Sequence, residues 1–382
     1  MKNLLTYLFL LCFSYGFAQG FFSDEKKAER KAKKQKKTEE GRWMILPLAG
    51  PAYTPELEFT LAGGVMTSFK TKKTDSLIQR SSMPIMLGVS STGAYFFGTK
   101  LTSFWLQDKL RIYGDFNFKD MPDNYWGVGY DEGRYTVKSD STTGYKRTWW
   151  QIYPRFLWQF KKHNFTGLVI DLNYTKGTEP SEGVQGDPYY QEYNEKPLNT
   201  GVGLIYQFDS RDVPVNAYRG FFAELSATYY FTGMGGQNNY QIYVVDLRKY
   251  WTLNQKEGRT LAVQARGRFG QGGVPYGEMS QLGTPWDLRG YTWGRYRNNT
   301  LILGIAEYRH MFYKKDGERG PHGFVAWLGA GTIGEDATQF EKYLPNFGFG
   351  YRLEVQPRMN LRIDFGFGTE TFGFYFNFNE AF

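Results

Sequence analysis

The sequence predicts an all-β fold, a transmembrane antiparallel β-barrel of sixteen strands with a long loop between strands 11 and 12. Three observations carry that expectation. Mean hydropathy is negative, and past the first twenty residues no apolar run approaches the ~20 residues of a helical membrane span. Aromatic residues nonetheless make up 19% of the chain, and there are 45 glycines. The apolar residues alternate with polar ones, which is how a barrel wall keeps its lipid-facing side out of a hydropathy average.

The chain begins "MKNLLTYLFLLCFSYGFAQG", with a lysine, an apolar run and then small residues at Gly16 and Ala18. That is the layout of a secretory signal, spanning residues 1–18. Leu11 is too large to precede a lipoprotein cysteine, so Cys12 falls in the leader and the exported chain has no thiol or disulfide. Residues 19–41 hold the charged stretch "SDEKKAERKAKKQKKTEE". Two readings stand for it: a solvated periplasmic tail, or a basic arm that meets anionic headgroups or an acidic partner. Much of the formal charge of +8 sits there, and in an exported chain it does not indicate nucleic-acid binding.

The barrel domain is expected over 42–382. Its segments run from "LEFTLAGGVMTSF" (57–69) to "FGFYFNFNEAF" (372–382), each about as long as a tilted membrane strand. In "LRIDFGFG", Leu361, Ile363, Phe365 and Phe367 fall on one face and Arg362, Asp364, Gly366 and Gly368 on the other. In "FGFGYRLEV", Phe347, Phe349, Tyr351, Leu353 and Val355 oppose Arg352 and Glu354. A soluble sandwich would bury an aliphatic face, whereas this one is rich in Phe, Tyr and Trp, as at a bilayer boundary. Fifteen segments are plain, and an inserted barrel with both ends in the periplasm needs an even number. "GRWMILPLAG" (41–50) supplies the sixteenth, since a first strand tolerates proline. Connections then alternate: short ones such as "QD", "KKHN" and "QPR" on one side, long ones (121–143, 178–198, 271–298, 335–344) on the other.

The sixth long-side loop contains "TPWDLRGYTWGRYRNN" (284–299), unusually aromatic and cationic for a connection. Its "LRGY", Leu288, Arg289, Gly290 and Tyr291, resembles the [VIL]-R-G-[FY] signature of the outer-membrane assembly superfamily of BamA and TamA (the bacterial surface antigen family). "QFDSRDVPVNAYRGFF" (207–222), with Asp209, Arg211 and Asp212, resembles that family's periplasmic turn. "GFGYR…NLRIDFGFG" resembles its C-terminal strands, and "GFYFNFNEAF" its terminal assembly signal, ending at Phe382. The resemblance implies a location in the bacterial outer membrane and a loop folded into the lumen, its arginine paired with acids on the inner wall. Glu307 is then the first acid; Gly329 stands where the family often has an aspartate, and Asp364 is the substitute. A guanidinium suits that role, because its fixed fork of donors matches carboxylates. The alternative is that these charges only line a wet lumen. The short stretch before the barrel leaves no room for the family's POTRA (polypeptide-transport-associated) domains, so the expectation is a barrel without them.

His163, His310 and His322 share no metal-ligand spacing, and no serine nucleophile accompanies the outward-facing His310. No catalytic residue, metal or cofactor is expected. The resemblance implies a barrel that assists insertion or assembly of outer-membrane components, its partners being outer-membrane lipids and other outer-membrane or periplasmic proteins. The alternative is a passive pore, or a lipid-conducting or structural subunit of an envelope complex.

Overall fold

The computed structural model describes residues 40–54, 58–73 and 78–382; the expected leader and the charged segment up to residue 39 lie outside them. Alternating side chains and turn residues produce one long antiparallel meander. Its first half comprises β1 (Met44–Thr54), β2 (Glu58–Phe69), β3 (Ser81–Ser82), β4 (Ile85–Ser90), β5 (Tyr95–Trp105), β6 (Leu110–Asn124), β7 (Gly144–Lys161) and β8 (Asn164–Thr178). It continues through β9 (Leu198–Asp209), β10 (Gly220–Tyr230), β11 (Tyr240–Thr252) and β12 (Arg259–Gly272). Inside the following loop, β13 (Ser280–Gln281) and β14 (Arg297–Asn298) form a separate small ladder. The wall resumes with β15 (Thr300–Tyr313), β16 (Arg319–Gly334), β17 (Leu344–Gln356), β18 (Met359–Phe367) and β19 (Phe372–Phe378).

β3 and β4 both lie between β2 and β5, so the seventeen-segment sheet has sixteen wall positions. The three largest connections (125–143, 179–197 and 273–299) all leave the same end of the wall, as do 231–239 and 335–343. Three short helices sit among them: α1 (Tyr130–Tyr135), α2 (Glu182–Gln185) and α3 (Pro188–Asn194). The start of α3 follows from its sequence. Asp187 caps it by accepting from the Tyr190 N–H at 2.9 Å, and Pro188 stands where a helix needs no N–H donor.

The two faces separate by parity. On β18, Asn360, Arg362, Asp364 and Gly366 point inward and are buried. On β19, Phe372, Phe374 and Phe376 are each about half exposed on the outer wall. Exposed Phe and Leu recur outward around the whole sheet, for example Leu204, Leu328, Phe347 and Phe349. In water such a surface would be an aggregation hazard; in a bilayer it is the solvent-facing side.

Three boundaries differ from the sequence reading. The first strand begins at Met44, not at residue 41, and runs on to Thr54. The sixth long loop runs over 273–299, not 271–298, and carries the β13–β14 ladder, which the sequence reading did not contain. The last strand stops at Phe378 and does not reach Phe382. Asn379 adopts the left-handed conformation (φ 62°), which asparagine tolerates better than most residues, and turns the chain inward. Glu380 then meets Arg352 (2.9 Å) and Asn360 (2.7 Å), and Phe382 is buried inside the wall.

Each wall position pairs with the next one along the chain, yet among the described residues no ladder joins β1 to β19. That seam has physical reasons. Pro47 and Pro51 remove two N–H donors from β1, and β19 offers only 7 residues.

Candidate functional site: the arginine cluster on the inner wall

Arg289 reaches the inner wall because Gly290 lets the loop lie flat against it. Gly290 has φ 119°, and a Cβ there would stand 2.6 Å from the backbone N and C of Phe367. Only glycine combines that conformation with that approach. Opposite it, a Cβ on Gly366 would meet the Arg289 carbonyl oxygen at 2.4 Å. The loop tip is further held by Gly290 N–H donating to the Tyr375 hydroxyl at 2.8 Å. Asn346 Nδ2 donates to the Arg289 carbonyl at 2.9 Å, and Tyr291 Oη to the Pro345 carbonyl at 2.6 Å.

The Arg289 guanidinium then forks. Nη2 lies 2.6 Å from Glu307 Oε2 on β15, and Nη1 lies 2.6 Å from Asp364 Oδ2 on β18. All three side chains are 0% exposed. The guanidinium also stacks 3.6 Å from the centre of the Trp327 ring, on the strand between them. Each acid has further partners: Glu307 takes Arg309 at 2.8 Å, and Asp364 takes Arg352 at 2.6 Å and Arg362 at 3.5 Å. With Glu380, the cluster counts four arginines against three carboxylates, all nearly inaccessible to solvent.

The structure brings Leu288, Arg289, Gly290, Tyr291, Glu307 and Asp364 together. Leu288 is 0% exposed, and Gly329 lies in the same inner row as Ile305 without adding a charge. The loop's aromatics divide: Tyr291 and Tyr296 are buried, whereas Trp286 and Trp293 stay nearly half exposed. Sequence reasoning placed Arg352 and Arg362 on the inner face without assigning them a role. It missed Arg309, Trp327, Tyr375 and Glu380 altogether. Inward parity beside Glu307 was the signal for Arg309 and Trp327; Glu380 had none, because its placement depends on the turn at Asn379.

Asp209, Arg211 and Asp212 lie outside this cluster, at the end with the short turns. Asp209 accepts from Arg211 at 2.9 and 3.0 Å and from Arg111 of β6 at 2.7 Å. Asp212 Oδ1 accepts from the backbone N–H of Val213 and of Tyr218, both at 3.0 Å, which shapes the turn 210–219. The histidines have local partners only: His163 the Asp209 carbonyl, His310 the Tyr308 hydroxyl, and His322 the Tyr351 hydroxyl.

At the other end the loops interlock. The Tyr125 hydroxyl donates to Asp187 at 2.8 Å, Tyr276 to Asn194 at 3.1 Å, and the Tyr130 N–H to Glu341 at 2.6 Å. Arg134 and Arg295 converge on Glu370 at 2.6 and 3.1 Å. The connections 125–143, 179–197, 273–299, 335–343 and 368–371 therefore form one cap.

A sixteen-position wall with lipid-facing aromatics, capped by loops and holding an inward loop by an arginine, defines an outer-membrane β-barrel of Gram-negative bacteria. The Omp85 superfamily domain matches residues 84–382, and the chain belongs to that superfamily. Among solved structures it is similar to BamA from Haemophilus ducreyi lacking POTRA domains 1–3, at 11% identity and a TM-score of 0.55. That match covers 88% of this chain and 69% of the other. It is also similar to CdiB from Escherichia coli (10% identity, TM-score 0.52) and from Acinetobacter baumannii (10%, 0.50). Both matches cover 88% of this chain, which spans 62% and 59% of those two proteins. At such identities the likeness concerns the fold. No curated protein matches the sequence.

Proposed function

We propose that this barrel assists the insertion or assembly of other outer-membrane components, acting through the seam between β1 and β19. The observation that carries the reading is the seam itself. The edges of β1 and β19, joined by no ladder among the described residues, present N–H and C=O groups that an incoming strand can pair with by β-augmentation. The arginine cluster supports it from inside: it fixes β15 to β18 and the inward loop as a stiff block, so that opening is confined to the chain's two ends.

The rival passive-pore reading needs an open path. The interlocked loop cap and the loop seated on the inner wall both stand in its way. Reconstitution into phospholipid vesicles separates the two. The assembly reading expects faster membrane folding of an added unfolded barrel protein, seen as its heat-modifiable gel band, with only small, irregular conductance. Large, steady conductance steps without any gain in client folding would overturn it.

A further inference from the structure

The turn 210–219 does more than join β9 to β10. Near its base Asp212 pairs with Arg358, in the two-residue turn between β17 and β18 on another part of the wall. The Arg358 guanidinium lies 3.5 Å from the centre of the Tyr218 ring. The Tyr218 hydroxyl accepts from Arg319 at the foot of β16 at 3.0 Å, and Arg319 is itself held by Glu354 of β17. On the other side, Thr252 Oγ1 donates to the Tyr218 carbonyl at 3.0 Å. The turn thus spans the short-turn end of the barrel and is fastened at both sides.

What lies above the turn gives it a purpose. Ala217 is 1% exposed and belongs to one buried cluster with Tyr250, Ala262, Ala381 and Phe382. Arg309 donates to the Phe382 carbonyl at 2.9 Å and stands 5.3 Å from the centre of its ring. The residues that follow β19 therefore share one buried cluster with Ala217 of the turn, while Arg309 and Arg352 of the arginine cluster hold them through Phe382 and Glu380.

We propose that the turn 210–219 is a clasp that retains the end of the last strand inside the barrel, with the Asp212–Arg358 pair as its latch. Release of the latch removes one hold on residues 379–382, beside those of Arg352, Asn360 and Arg309, and so favours their leaving the lumen to extend β19 along the seam. The clasp is a switch for the seam described above, and its consequence for assembly rests on that reading. The retention itself does not.

The test reads retention directly. In a Cys12→Ser background, Ala381→Cys places a thiol at a site that is 8% exposed. The rate of maleimide labelling of the folded barrel in detergent micelles then reports escape of the tail. Arg358→Asn suits the positive φ of 63° at that position and removes the latch. Asp212→Asn keeps an oxygen for the turn's N–H groups but loses the charge. Both should speed labelling on the order of tenfold, the factor expected for one charged hydrogen bond. Glu318→Gln, which breaks the exposed Lys314 pair at the same end, should leave the rate unchanged. Unchanged rates in both latch variants would overturn the clasp, as would equal acceleration in all three. A clasp that passes this test in a barrel inactive on clients would sink the assembly reading alone.

Discussion

Asp364→Asn should destabilise the folded barrel more than Arg289→Ala does, although both break the same contact. The reason is the number of buried charged partners that each loss strands. Asp364 also serves three arginines at 2.6, 2.6 and 3.5 Å. Breaking a buried pair on the side that strands charge costs about 3–5 kcal/mol. For Arg289→Ala the loss should be nearer the ~1.5–3 kcal/mol of a charged hydrogen bond, because Glu307 and Asp364 each keep another arginine. The readout is the urea midpoint of the heat-modifiable band for each variant. An Arg289→Ala midpoint at or below that of Asp364→Asn would contradict the count.

Gly290→Ala should unseat the loop even though Arg289 and both its acids remain. A side chain at φ 119° carries about 1–3 kcal/mol of backbone strain. Steric overlap adds more, because the new Cβ would meet backbone atoms of Phe367 and Gly368 at 2.6–2.7 Å. That backbone cannot retreat without disturbing the pairing of Phe367 with Phe347 and Phe372. Gly294→Ala is the control. It has a positive φ of 78° too, but its Cβ would meet the far end of the Arg297 side chain at 3.0 Å, which can shift. Limited proteolysis should cut within 284–297 in the Gly290 variant and spare the Gly294 variant. Equal protection of both loops would show that the close approach at Gly290 does not hold the loop in place.

Much of the wall was legible because membrane strands obey parity. Once Phe365 and Phe367 face lipid, Arg362, Asp364 and Gly366 must face inward, and the pairing register places them beside Arg352, Gly350 and Gly348. The proximity of Glu307 and Asp364 was not legible from parity alone, because it needs Trp327 and Gly348 to bring β15, β16, β17 and β18 into one curved patch. The ends were harder. "FNFNEAF" reads as a continuation of the strand, and only the left-handed Asn379 with the Glu380 ion pairs reverses it. Likewise the Asp212–Arg358 pair joins residues 146 apart, a separation that no local pattern encodes.

The central claim is that the ends of the meander, not its interior, receive a client. Photo-crosslinking side chains placed at Ile45 on β1 and at Phe376 on β19 test it, with Leu328 on β16 as an equally exposed outward control. In cells exporting outer-membrane barrels, the two seam positions should give adducts with client strands and Leu328 should give none. Adducts of equal yield at all three positions, or at Leu328 alone, would contradict a role for the seam.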